Sequence, residues 1–322
     1  MLIYIIVLVI LIFLLKGYFI IANHFNITDK PNERSSHSQL TIRGGGILFP
    51  VAGLIWFMLY GFSEPWIIFA MLLLAIISFL DDIVSLSSGV RILTHFTAVS
   101  LLFWQLHIFG LPLYIIVLAY LFTIGWINAF NFMDGINGIT VFYSLATLGS
   151  FLWINSYINF VQTQLLIVLI LSALVFTFYN ARARAITFAG DVGSVTMAFL
   201  LAWFMISLIV KTERFEYVLF FAIYGIDSAF TIFFRLLRHE NIFVAHRTHL
   251  FQYLSNEMKW PHLLVSAIFS ILQLFINLIT IFLIETDKMN LFVFITILFM
   301  LTMVYLIVRH KTINSIQKQT ML

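Results

Sequence analysis

Apolar runs long enough to cross a bilayer recur along the whole of this chain. A hydrocarbon core about 30 Å thick takes roughly 20 apolar residues in a helix. Eleven such runs are predicted, with soft edges, at 2–22, 46–62, 66–80, 93–107, 112–128, 138–154, 161–180, 193–210, 217–235, 262–284 and 290–308. The breaks have physical causes: Gly61 to Pro65, Gly110 to Pro112 and Lys211 to Glu216 are short polar or helix-breaking turns. Of the 322 residues 62% are hydrophobic and only 10% charged, where soluble domains carry about 25% charged. No soluble fold hides that much apolar surface. The expected fold is an all-α, polytopic integral membrane helical bundle of about eleven transmembrane helices, or ten if short neighbours merge. The first run lacks a basic leader and a small-residue cleavage site, so it reads as a retained span. There is no Cys, which excludes disulfides, thiolate metal sites and a Cys nucleophile.

The cations sort by side. One set of loops holds Lys30, Arg34, Arg43, Arg91, Arg182, Arg184, Arg235, Arg238, Arg247, Lys259, Arg309, Lys311 and Lys318; the other holds only Lys211, Arg214 and Lys288. Lys16 lies within the first run and can snorkel toward the basic side. By the positive-inside rule the N-terminus is expected outside and the C-terminus in the cytoplasm. The cytoplasmic loops are then 23–45, 81–92, 129–137, 181–192 and 236–261, with a tail at 309–322 following a single transmembrane domain over 1–308. A net charge of +3 is too small to point to nucleic acid.

All the acid, amide and imidazole clusters fall in those basic loops. Asp81 and Asp82 end the third run (SFLDDIVSL), where a helix dipole disfavours carboxylates, so a divalent cation or a basic partner is needed to hold them. A solvated helix end is the plain alternative. Asn128, Asn131, Asp134 and Asn137 recur every third residue (NAFNFMDGIN). They suit either a capping and turn segment or a phosphate and Mg²⁺ site built from hard oxygen donors. Asp191 in FAGDVGS stands just before the eighth run, where an N-cap explains it fully, although metal or anion work also fits beside Arg182 and Arg184. Phe188 suits an interfacial anchor or a stacking platform for a planar base.

His246, Arg247 and His249 (HRTHLFQ) read as a diphosphate clamp, or as a basic loop that only sets topology. In the first loop Arg34, His37 and Arg43, followed by Gly44 to Gly46, offer phosphate contacts; the alternative is a flexible lead into a span. Asp227 lies inside the ninth run, where a carboxylate is costly; a catalytic role and a structural hydrogen bond are equally open.

Taken in order, DD, NxxNFMDGxxG, FxGDxGS and HRxHxxQ resemble the polyprenyl-phosphate N-acetylhexosamine-1-phosphate transferases, a membrane superfamily that includes phospho-MurNAc-pentapeptide transferase. The resemblance runs from about Asp29 to Gln252. PNERSSH, RGGG and ENIFVAHRTH look most similar to the branch that starts O-antigen and capsule chains. The resemblance implies that undecaprenyl phosphate attacks the β-phosphorus of a UDP-N-acetylhexosamine, releasing UMP at the bacterial cytoplasmic membrane. It implies Mg²⁺, with Mn²⁺ as a substitute, on Asp191, and uracil stacking on Phe188. Asp81 and Asp82 would activate the lipid phosphate and charge the site. Asp134 would act near the nucleotide, and His246, Arg247 and His249 would hold the diphosphate sugar. A homodimer is compatible with it. Two departures stand out: Asn137 replaces a second Asp common in the family, and the stretch before FAGD (YNARARAIT) lacks the usual Pro, which bears on a uracil contact from Asn180.

The residues fit that chemistry. Phosphoryl transfer needs positioning and charge neutralisation more than covalent help. A phosphate nucleophile with a second pKa of about 6 is largely ionised near pH 7, so a strong base is optional. The competing reading is a secondary transporter of nucleotide or lipid-linked sugars. Such proteins place polar sites near the bilayer midplane, often between repeats, and only Asp227 suits that position here.

Overall fold

A computed structural model describes residues 2–29, 40–241 and 246–320. Every predicted apolar run becomes a helix. In chain order these are α1 (Leu2–His24), α2 (Leu48–Leu59), α3 (Pro65–Ile83), α4 (Ser88–Gln105), α5 (Leu113–Met133), α6 (Ile139–Ile158), α7 (Thr163–Asn180), α8 (Gly190–Thr212), α9 (Ala222–Leu237), the single turn α10 (Leu250–Gln252), α11 (His262–Glu285) and α12 (Leu291–Thr320). The chain is a polytopic helical membrane protein. Among the described residues nine helical segments are long and apolar enough to cross a membrane. Two of the eleven expected spans fall short of that. One is α2, a short apolar helix entered through a 3-10 turn at Gly45–Ile47. The other is α4, which carries Arg91, Thr94 and His95 along its first turns.

Helix edges depart from the sequence expectation where no breaker interrupts the pattern. α3 runs on to Ile83, so Asp81 and Asp82 sit in its last turn and not in a loop. α8 opens at Gly190, which puts Asp191 inside its first turn. α12 continues through Arg309 to Thr320, so 309–320 is helical and continuous with the last apolar run. A small antiparallel pairing, with Thr28 opposite Ile42 and Asp29 opposite Thr41, also went unforeseen.

α8 is the axis of the bundle. Nearly all of α8 is buried and almost none of the apolar part of α12, so α8 is wrapped by protein and α12 faces outward. α2, α3, α5 and α6 pack around α8. Several polar groups inside the bundle are paired across helices, as hydrocarbon surroundings favour. Phe215–Phe221 is a 3-10 segment that turns into α9, and the change of helix type strands backbone groups. Gln273 of α11 meets them: its side-chain NH₂ donates to the Leu219 carbonyl at 2.9 Å and its Oε1 accepts from the Ile223 N–H at 3.0 Å. Tyr143 donates to the same Oε1 at 2.7 Å.

Candidate active site

The RGGG and FAGDVG segments form one backbone joint. The Phe188 N–H donates to the Ile42 carbonyl at 2.8 Å, the Gly45 N–H to the Phe188 carbonyl at 2.9 Å and the Gly46 N–H to the Ala189 carbonyl at 3.0 Å. Thr187 Oγ1 adds a bond to the Ile42 carbonyl at 2.9 Å, and Tyr18 donates to the Arg43 carbonyl at 2.6 Å. The close approach explains the glycines. A Cβ on Gly193 would lie 2.6 Å from the Gly46 Cα, and Gly190, at φ +70°, would drive a Cβ to 2.5 Å from Asp82 Oδ2.

This joint delivers Arg43 to the acids. Its Nε is 2.7 Å from Asp82 Oδ1, and its Nη2 is 3.5 Å from Asp191 Oδ1. Asp82 also accepts the Asp191 N–H at 2.9 Å and the Val192 N–H at 3.1 Å. The cap of α8 is therefore not its own Asp191 but a carboxylate lent by α3. That corrects the N-cap expectation. The reason is electrostatic: the positive N-terminal end of α8 and Arg43 together attract the Asp82 carboxylate, whose side chain is fully buried. The same contacts answer why two acids tolerate the end of α3. Arg91 Nη1 lies 3.4 Å from Asp81 Oδ2, and Asp81 Oδ1 accepts the Leu86 N–H at 2.6 Å.

Asp191 leaves its carboxylate toward the outside, with the side chain 23% exposed. Asp134, just past the end of α5, accepts from Thr140 and is half-buried. Burial pushes its carboxyl up to about 6; the Thr140 hydrogen bond opposes that, the charge of Asp191 adds to it and Arg43 counters it. Asn131 ties the two helices together by accepting from Ser194 of α8 at 2.5 Å.

Other expected residues sit further from the charges. Asn128 donates to the Ile124 carbonyl of its own helix at 2.8 Å. Asn137 donates to the Arg182 carbonyl at 2.8 Å, and its own carbonyl accepts from Ser266 at 2.8 Å. Asn180 accepts the Gly138 N–H at 2.8 Å and donates to the Thr187 carbonyl at 2.9 Å. Both amides thus hold loops in register. Phe188 is half-buried beside the joint. Arg34 and His37 lie outside the described residues.

The HRTH segment meets the acids through the turn after Asp134. Phe251 lies against Gly135, where an added Cβ would be 3.0 Å from its ring. His246 stacks on His249 with centroids 5.1 Å apart and meets Thr248 Oγ1 at 3.0 Å. Burial first, then the neighbouring His249, pulls His246 down to about 4. Arg247 is half-buried and His249 fully so. What sequence reasoning left open is Asp227, which stands under this loop and accepts the Leu250 N–H at 3.0 Å. Its position inside an apolar run was the signal.

Among the described residues no three His, Asp or Glu side chains form a metal cage. Mg²⁺ does not require one; it binds through one or two carboxylates and fills its remaining positions with water and phosphate. Asp191 and Asp134 fit that donor set. Both are hard, neither is engaged with backbone N–H groups, and the charge of Asp191 is felt at Asp134. Asp82, committed to Arg43 and the α8 terminus, is a poorer ligand.

A family model described as glycosyl transferase family 4 matches residues 65–209. Similar proteins include a phospho-N-acetylmuramoyl-pentapeptide-transferase of Thermotoga neapolitana, 28% identical over 257 residues, which are 73% of this chain and 82% of that one. A probable undecaprenyl-phosphate N-acetylglucosaminyl 1-phosphate transferase of Bacillus subtilis is 26% identical over 251 residues, 71% of this chain and 70% of that protein. A phospho-N-acetylmuramoyl-pentapeptide-transferase of Streptococcus mutans is 35% identical over 116 residues, 32% of each chain.

Proposed function

Because the chain belongs to the superfamily of polyprenyl-phosphate N-acetylhexosamine-1-phosphate transferases, we propose that it transfers an N-acetylhexosamine 1-phosphate from a UDP-sugar to undecaprenyl phosphate. An oxygen of the lipid phosphate attacks the β-phosphorus. The bond from that phosphorus to the bridging oxygen breaks, and UMP leaves with the electron pair. The product is a polyprenyl diphosphate sugar, the first lipid-linked intermediate of a surface polysaccharide such as O-antigen or capsule.

One observation carries this reading: Arg43, Asp82, Asp191 and Asp134 converge where α3, α5 and α8 meet, at the same end of the bundle as the HRTH loop. Two phosphate groups and several carboxylates repel one another; at 4 Å each pair of unit charges costs about 4 kcal/mol at an effective dielectric of ~20. Arg43 removes part of that cost, and His246, Arg247 and His249 offer donors to the diphosphate. Asp191 and Asp134 would hold Mg²⁺, which when bound neutralises the phosphate charge. Asp82 fixes Arg43 and α8, and so sets the distance between the two halves of the site. A tail in hydrocarbon and a phosphate at the surface require a site at helix ends, open to the cytoplasmic pool of nucleotide sugar.

The transporter reading gains nothing from the interior, since Tyr143, Gln273 and Asn277 spend their polar atoms on one another, on the Ser150 hydroxyl and on the backbone. The test is purified protein in detergent with undecaprenyl phosphate and a panel of UDP-sugars. UMP release should require both the lipid phosphate and Mg²⁺ or Mn²⁺, and should vanish in Asp191→Ala. Equal release without lipid phosphate, or without divalent cation, overturns the proposal.

A further inference from the structure

Asp227 is 1% exposed, inside α9 and surrounded by helix. A charge there is expensive, and nothing in the reaction above uses it. Its Oδ1 gathers the Leu250 N–H at 3.0 Å, the Tyr305 hydroxyl at 3.0 Å and the Thr231 hydroxyl at 3.3 Å. His249 Nδ1 lies 3.6 Å from the same oxygen, with both side chains buried. Behind them Arg309 of α12 donates to the Tyr305 hydroxyl at 3.0 Å and to the Thr248 carbonyl at 2.9 Å. Its guanidinium also covers the Phe234 and Tyr253 rings at 5.1 and 5.3 Å.

Holding the loop down does not need a carboxylate. Leu250 and Phe251 are buried and already anchor it by apolar contact. What Asp227 adds is a negative charge facing the His249 ring and a fixed point for the backbone that follows it. Buried charges are weak evidence for stability, because apolar replacements often do as well. A carboxylate behind an imidazole is instead a common way to set ring orientation and favour its charged form.

We propose that Asp227 is a positioning residue for His249, and that Tyr305 and Arg309 complete the clamp, so that the last helix belongs to the phosphate-binding apparatus. The proposal rests on the functional reading above, in which the HRTH loop faces the diphosphate. Asp227 from α9 and His246 from its own loop face His249; Tyr305 and Arg309 of α12 reach Asp227 and the Thr248 carbonyl behind it, and Arg235 and Glu240 act on His246.

The test is steady-state UMP release by full-length protein in detergent. Asp227→Asn keeps an oxygen for Leu250, Tyr305 and Thr231 but removes the charge. We expect kcat to fall about tenfold or more, with KM for the nucleotide sugar nearly unchanged. Asp227→Glu should recover part of the loss. In a His249→Gln background, Asp227→Asn should add nothing. If the two losses multiply, or Asp227→Glu recovers nothing, the proposal is wrong; should His249→Gln leave no turnover, the Asp227→Glu recovery decides alone. Tyr305→Phe, which removes one bond to the same carboxylate, replaces Asp227→Asn in each comparison if that variant does not fold. A wild-type protein that turns over no nucleotide sugar would sink the reading of the site and this inference with it. An active wild type with an unaltered Asp227→Asn sinks the inference alone.

Discussion

Asp82 and Asp191 are both acidic and lie within one cluster, yet the structure gives them opposite work. Asp82 holds Arg43 and two N–H groups of α8; Asp191 holds no backbone and faces outward. Losing a cap costs about 1 kcal/mol, and stranding Arg43 adds to it. Asp82→Ala should therefore lower the thermal midpoint and the activity together. Asp191→Asn should abolish UMP release while leaving the midpoint equal to or above that of wild type. Scanning fluorimetry beside the UMP assay separates the two; equal destabilisation would refute the division. Asp134 adds a pH signature. Its carboxyl is pushed up to about 6 by burial, above the ordinary carboxylate value, so the folded protein binds that proton more tightly than the unfolded chain does. The stability gained is present below the unfolded value and lost as pH rises through about 6. Asp134→Asn should accordingly raise the midpoint at pH 7.5 and lose that advantage near pH 4, as melting curves at the two pH values would show.

Among the elements, the break between Phe215–Phe221 and α9 depends on a side chain from elsewhere. Gln273→Leu would leave the Ile223 N–H without its side-chain acceptor, at about 1–3 kcal/mol for a buried group, and would take from the Leu219 carbonyl one of its two donors, the Ala222 N–H remaining. The thermal midpoint should drop by several degrees with activity per folded molecule kept, because the break is remote from the acids. A midpoint unchanged in melting curves would show that the break satisfies itself. This dependence was not legible in the sequence, because Gln273 is one amide in an apolar run and its partners are about 50 residues earlier. The same limit applied at Asp82. The sequence said that an acid pair at a helix end needs a counter-charge, and Arg43 and the α8 terminus supply it. It could not say that the cap of α8 would come from α3, since the local pattern GDVGS offers its own Asp first. The glycines of RGGG left phosphate contacts and a flexible lead into a span both open; in the structure Gly46 and Gly193 let two backbones touch. The helices themselves were legible, because each apolar run ends at a turn whose chemistry is local.

At the scale of the molecule, the even alternation of spans and loops places the ends of α3, α5, α7 and α9 and the starts of α4, α6, α8 and α11 on one face. The contacts agree: Asp82 meets α8, Asn131 meets Ser194, and Gly135 meets Phe251. Orientation in the membrane rests on the cations, since the basic set gathers at that face and Lys211, Arg214 and Lys288 at the other. The chain contains no Cys, so single cysteines can report on it without background. Lys259 is exposed on the site face; Asp287, its side chain 93% exposed, lies on the opposite one. In intact cells a membrane-impermeant maleimide should label Asp287→Cys and spare Lys259→Cys. In inverted vesicles the pattern should reverse. Labelling of both from one side would break the bundle's alternation. The opposite polarity would leave the fold standing but turn the site away from the nucleotide-sugar pool, and the transferase reading could not survive it.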